Sequence, residues 1–284
     1  MSYLTGTIFG PYRLRLAGTY TLSVAETVLE LMYPFTIGLA INGLIEGNGI
    51  ISVVPLVVVW LSQTVVGAVY QLIASRLVAI IYRSLAHKLV LSQRDVATST
   101  SEVAARVDMV EKVCDALTEV VPLLLSGVVG VVVSAVMLFT YHLHAGAVAV
   151  ALIIIIGLLQ WWFSISALDL NERINTRRES QVNVIEKRKK TGVAAHFKAI
   201  TRLNVRFMDI ETGTWAIADI FSLLALLTVL FLIAGITVYD VGSIYAMVTY
   251  VMTLTDSLES APYLVDEGAH FYDVSARVAK KMTQ

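Results

Sequence analysis

Residues 113–172 read VCDALTEVVPLLLSGVVGVVVSAVMLFTYHLHAGAVAVALIIIIGLLQWWFSISALDLNE, sixty residues without one Lys or Arg. Inside this stretch two apolar runs flank a short polar turn, His142-Leu143-His144. One membrane helix needs ~20 apolar residues, so the stretch is long enough to cross a bilayer and return. Residues 16–75 and 207–276 also lack basic residues, over 60 and 70 positions. The 21 Lys and Arg fall at Arg13 and Arg15, Arg76 to Lys112, Arg173 to Arg206, and Arg277 to Lys281. Basic residues accumulate on the cytoplasmic side of membranes. The pattern predicts three out-and-back helix pairs, with both termini and two large loops in the cytoplasm.

Composition agrees. Hydrophobic residues make up 57% of the 284 and charged residues only 15%, well below the ~25% usual in soluble domains. The net charge of −1 hides a sorting along the chain, because 16 of 22 acidic residues lie in the three basic-free stretches. The basic blocks sit where topology alone puts them, which argues against a nucleic-acid partner. The single Cys114 offers no disulfide or cysteine cluster within the chain. No metal site is expected, and without an H-E-x-x-H an intramembrane zinc protease has no support. Met1 to Tyr12 lacks the basic start and compact apolar core of a cleavable signal.

Along the chain, residues 1–12 suit a short interfacial elbow helix. Span 1 is expected from about Leu16 to Ile45, kinked at Pro34 and ended by Gly47-Asn48-Gly49. Span 2 starts near Ile51, and its helical pattern continues to Gln93. Ser99 and Glu102 fit a capping box that opens a helix leading through Pro122 into span 3. Span 4 covers about Ala147 to Leu168 and runs into a charged arm, which Thr191 and Gly192 are expected to break. Span 5 is expected from Trp215 to Tyr239, and span 6 from Gly242 with periodicity to Lys280. Residues 94–112 and 173–206 form the cytoplasmic loops. After ~40 residues for two spans, each helical hairpin keeps arms of roughly 25 residues, which project on the order of 35 Å beyond the membrane.

Span 6 carries a polar stripe. Tyr245, Thr249, Met252, Asp256, Glu259, Tyr263, Asp266, His270, Asp273 and Arg277 are spaced alternately four and three apart, which places them on one helical face. Thr19, Ser23, Glu26, Glu30 and Tyr33 repeat the pattern in span 1. An Asp at a lipid-facing helix centre costs about 2.5–3.5 kcal/mol on insertion scales. These faces are therefore expected to look into an aqueous cavity or against protein. Glu26, Glu30, Tyr33, Tyr245, Asp256, Glu259, Tyr263 and Asp266 are the candidate substrate or proton pathway. Clustered carboxylates tend to retain protons, which suits a proton relay or a cationic substrate. Asp219 is expected at the inner interface beside Trp215, Trp161 and Trp162 as packing residues, His142 and His144 in a plain outer turn, and His87 and His196 as solvated.

Three stretches carry a family resemblance. STSEVAARVDMVEKVCDAL (99–117) resembles the first inner loop of type I ABC exporters, through Ser101, Glu102, Arg106 and Asp108. GSIYAMVTYVMTLTDSLESAPYL is similar to the opening of that family's sixth span, through Gly242, Ala246 and Tyr250. VSARV at 274–278 resembles the segment that closes it. Residues 1–284 thus read as a single six-helix transmembrane domain of the ABC exporter type I fold, an all-α membrane protein with long cytoplasmic extensions. The sequence contains no G-x-x-x-x-G-K-[ST] phosphate loop, so no nucleotide-binding domain is expected in these residues. The second inner loop is shorter than usual for the family, and in this the chain resembles SbmA-like peptide transporters.

The resemblance implies a half-transporter acting as a homodimer in the bilayer by alternating access. Its expected cargo is an organic, cationic or amphipathic solute or peptide. The chain itself needs no cofactor and has no catalytic residues. ATP would enter only through a separate ATPase subunit docking at Ser101, Glu102, Arg106 and Asp108; the alternative drive is a proton gradient. The expected location is the bacterial cytoplasmic (inner) membrane. A non-transporting scaffold or sensor on the same fold is the rival reading.

Overall fold

A computed structural model describes residues 10–92, 100–187, 190–234 and 240–260. Among them every regular element is helical. After a 3-10 turn at Gly10–Tyr12 come α1 (Arg13–Leu31), α2 (Tyr33–Ile45), a second 3-10 turn (Gly49–Val53) and α3 (Val54–Ser92). The chain continues through α4 (Thr100–Thr118), α5 (Val120–Tyr141), α6 (Leu143–Glu179), α7 (Gln181–Lys187), α8 (Lys190–Ala234) and α9 (Val241–Glu259).

Five stretches are long and apolar enough to cross a membrane: Gly10–Ile45, Gly49–Leu91, Val107–Tyr141, Leu143–Arg178 and Thr191–Ala234. They match the first five spans expected from the sequence. The helix expected as the sixth, α9, has 19 described residues and is not in that set. It is nonetheless deeply enclosed, packing against α2, α5, α6 and α8, with Ala246, Met247, Tyr250 and Leu254 at 0% exposure.

Two apolar cores organise the packing. One joins α5, α6, α8 and α9 through residues such as Leu138, Leu152, Ile156, Val229 and Leu254. The other joins α1, α3 and α4 through Leu16, Ile81, Leu89, Val110 and Val113, and it holds the buried Cys114. Inside lipid, helices associate by close packing rather than by escape from water, so small residues at crossings matter. At the α2–α9 crossing, a Cβ added to Gly38 would lie 2.6 Å from the Gly242 carbonyl oxygen. Gly242 in turn has no room for a Cβ against Gly38 and Asn42.

Both breaks within the long helical stretches have a physical cause and a remedy. Pro34 has no backbone N–H to donate, so span 1 divides at Met32 into α1 and α2. The Tyr250 hydroxyl donates to the Leu31 carbonyl at 3.0 Å. Between α4 and α5, Pro122 acts in the same way, and the Tyr20 hydroxyl donates to the Leu117 carbonyl at 3.0 Å. Carbonyls next to both breaks thus gain hydrogen bonds from neighbouring helices.

Three expectations change. The charged arm after span 4 breaks at Ser180, and Thr191 and Gly192 lie inside α8. Glycine in the first turn of a helix sits where backbone N–H groups lack intrahelical partners anyway, so it does not terminate α8. His196 is not solvated: it is 5% exposed, edge-on to Phe197. Trp161 and Trp162 are 66% and 56% exposed, so within a single chain they project outward and do not pack inside it. The elbow at 1–9, Ser99 of the capping box, and span 6 beyond residue 260 lie outside the described residues.

Candidate functional site

The polar stripe of α9 is a real face. Tyr245, Met252 and Asp256 are exposed in the single chain and Thr249 and Glu259 are half-buried, whereas Ala246, Met247, Tyr250, Val251, Leu254 and Leu258 are buried. Tyr263 and Asp266 continue the series outside the described residues. In span 1 the stripe divides. Thr19 and Ser23 are buried, Glu26 and Tyr33 half-buried, and Glu30 exposed.

Glu26 belongs to a closed network between α1, α2 and α3. The Tyr33 hydroxyl donates to Gln63 Oε1 at 3.2 Å, and Gln63 Nε2 donates to Glu26 Oε1 at 3.3 Å. The Tyr33 ring stacks on Trp60 with centroids 5.0 Å apart. Gly67 leaves the space that the Glu26 carboxylate fills. Glu30 stands beside Glu26 and Tyr33.

Asp256 and Glu259 instead line an open cavity of about 270 Å³ between α8 and α9, together with Asp219 and Ser222. Glu259 also lines a second space of about 140 Å³ with Gln160, Glu211, Thr214 and Trp215. The Trp215 indole is within hydrogen-bonding reach of the Glu259 carboxylate. Five buried side-chain atoms have no partner among the described residues: Ser134 Oγ, Gln160 Oε1, His196 Nε2, Ser222 Oγ and Glu259 Oε1. Three of these, from Gln160, Ser222 and Glu259, belong to the walls of the two cavities. Buried polar groups are normally paired, so this concentration marks the place where the fold leaves hydrogen-bonding capacity open.

The two carboxylate groups are not brought together. Among the described residues, no hydrogen bond, ion pair or cavity joins Glu26 and Glu30 to Asp256 and Glu259. Sequence reasoning also missed Asp219 as a partner of Asp256 and Glu259. The signal was present: it is an isolated acid within an apolar run, and such residues inside spans are functional candidates by default.

A larger space of about 660 Å³ is lined by Asn42, Glu46, Asn48, Ser52 and Asp240, among others. Asp240 caps α9 by accepting from the Ser243 N–H at 2.7 Å, while Asn42 Oδ1 accepts from the Gly242 N–H at 2.7 Å. Burial pulls the Asp240 pKa up, but hydrogen bonds from Ser243 and Asn42 outweigh it and hold the carboxyl below its ordinary range. His142 and His144 stack in the neighbouring turn, where His142 accepts from the His144 N–H and so caps α6. No group of three His, Cys, Asp or Glu among the described residues is placed to hold a metal ion. Ser101, Glu102, Arg106 and Asp108 all fall on α4, with Asp108 exposed.

A family model for the ABC transporter transmembrane region matches residues 7–244. The chain belongs to that family. It is an integral membrane protein of a transport family, and its all-helical architecture with apolar spans is that of an ABC transmembrane region. A comparison with curated proteins finds no match. In this ABC transmembrane region the match covers all the described spans, and α9 begins within its last four residues.

Proposed function

We propose that the chain is a half-transporter that moves an organic cationic or amphipathic solute or peptide by alternating access, with α9 as its sixth span. The observation that carries this reading is the stripe on α9. Asp256 is exposed at the side of a helix whose opposite face is wholly buried. In lipid that arrangement is costly, by about 2.5–3.5 kcal/mol for a central Asp. Against a second copy across an aqueous pathway it costs little. A two-fold dimer of twelve spans supplies such a pathway, with Glu30, Tyr245, Asp256 and Glu259 on its wall and Glu26 and Tyr33 bracing it. Tyr263 and Asp266, outside the described residues, continue the four-three series of the same proposed pathway in sequence.

Energy comes either from a separate ATPase subunit docking on α4 near Ser101, Glu102, Arg106 and Asp108, or from a proton gradient acting on the carboxylates. The bacterial inner membrane, with both termini cytoplasmic, is the setting that the basic blocks favour. Uptake into proteoliposomes, measured under an imposed pH gradient with and without ATP, tests the reading. Transport by the pure chain on a proton gradient alone removes the need for an ATPase. Absence of transport under every condition, including with cell membranes as a source of an ATPase partner, rejects the half-transporter.

A further inference from the structure

The cavity between α8 and α9 offers Asp219, Asp256, Glu259 and Ser222, and among the described residues no Lys, Arg or His shares its wall. Ser222 is the informative member. Hydroxyl side chains within helices commonly return their proton to the carbonyl one turn back. Thr214 and Thr228 on the same helix do so, bonding to the Ile210 and Leu224 carbonyls. Ser222 is 5% exposed, yet its Oγ has no partner among the described residues. A buried hydroxyl and the unpartnered Oε1 of Glu259 thus bound the same space.

The three carboxylates do not converge on one point, since no metal-holding group of three acids occurs among the described residues. One compact cation would leave the other charges uncompensated. Acidic groups spread along a cleft whose remaining wall includes Leu223 and Met252 match a flexible hydrocarbon chain with cationic donors at intervals. The volume, about 270 Å³, lies near the lower end of small-ligand sites, roughly 300 Å³.

We infer that this cavity binds an aliphatic amine carrying two or more ammonium groups, with its N–H donors on Asp219, Asp256, Glu259 and Ser222 Oγ and its methylenes against Leu223 and Met252. The inference deepens the transport reading and rests on it only for passage across the membrane; binding stands by itself.

The test uses the full chain in lipid nanodiscs and calorimetric titration with 1,4-diaminobutane and spermidine, with n-butylamine and Mg²⁺ as comparators. Both multivalent amines are expected to bind, n-butylamine about tenfold more weakly or worse, and Mg²⁺ not to compete. D219N and E259Q are expected to weaken diaminobutane binding about fivefold or more, as loss of a charge-assisted hydrogen bond implies. S222A is expected to weaken it about threefold, and D169N, on the exposed arm, to leave it unchanged. Should D219N fail to fold, Ser222→Cys in a Cys114→Ser background replaces it, and diaminobutane is expected to slow its reaction with a neutral thiol reagent. Equal affinity for n-butylamine, or insensitivity to both D219N and S222A, overturns the inference. Glu259-dependent, proton-driven uptake without amine binding overturns it too, while the transport reading survives. Amine binding without uptake of any solute keeps the site and removes the transporter.

Discussion

Glu26 and Glu259 are both glutamates set at helical spacing in polar stripes, yet their surroundings differ in kind. Glu26 accepts from Gln63, which accepts from Tyr33, which stacks on Trp60, and Gly67 makes room for the carboxylate. Glu259 borders two cavities with one oxygen unpartnered, beside Asp219 and Asp256. A satisfied network stiffens its surroundings, whereas unfilled hydrogen-bonding capacity costs free energy that a ligand can recover. The difference teaches that a carboxylate in a span is read by its neighbours rather than by its place in a stripe.

The widest separation between the two groups is expected in transport. E259Q and D256N should lower uptake by on the order of tenfold or more with unchanged thermal melting, whereas E26Q should lower melting temperature and spare most of the uptake. If E26Q abolished uptake without loss of stability, the contrast would be reversed. Gly67→Ala puts a methyl against the Glu26 carboxylate, which must swing away and lose Gln63. A loss of about 1 kcal/mol in unfolding free energy, with uptake retained, is the expected result by denaturant titration in detergent.

Tyr250 links the two regions, since it is carried on α9 and its hydroxyl donates to Leu31, next to Glu30. Tyr250→Phe should cost about 1 kcal/mol and raise hydrogen exchange at residues 31–35; unchanged exchange there would show that the helix break needs no support from α9. The smallest effect belongs to Asp240. Its folded pKa is depressed, so its contribution is complete above the unfolded value of about 3.9 and fades as pH falls through the lower folded value. Asp240→Asn should therefore melt slightly earlier than the parent at pH 7 and indistinguishably near pH 2. A gap that widens on acidification would contradict the hydrogen bonds described at the α9 cap.

The span positions were legible because they depend on long one-dimensional signals: stretches without Lys or Arg, apolar runs, and Pro34 at the kink. The α9 stripe was legible for the same reason, as its four-three spacing fixes a face whatever lies opposite. Which helix lies opposite is a tertiary fact. Nothing local distinguishes Glu26, which meets Gln63 some 37 positions away, from Glu259, which meets Asp219 in a cavity. Asp219 was not linked to Asp256 and Glu259 because one acid in an apolar run carries no period. Thr191 and Gly192 misled because local helix propensity is weak against the packing of a long arm, and His196 because its basic neighbours say nothing about the side of the helix it occupies.

The Gly38–Gly242 crossing has a mechanical consequence. Backbone rests on backbone there, with no side chain between to act as a lubricating layer, and the Asn42 amide pins the Gly242 N–H. The C-terminal part of α2 and the N-terminal end of α9 consequently form one lever. Any parting of the helices at this end of the bundle has to run along a seam that leaves this pair joined.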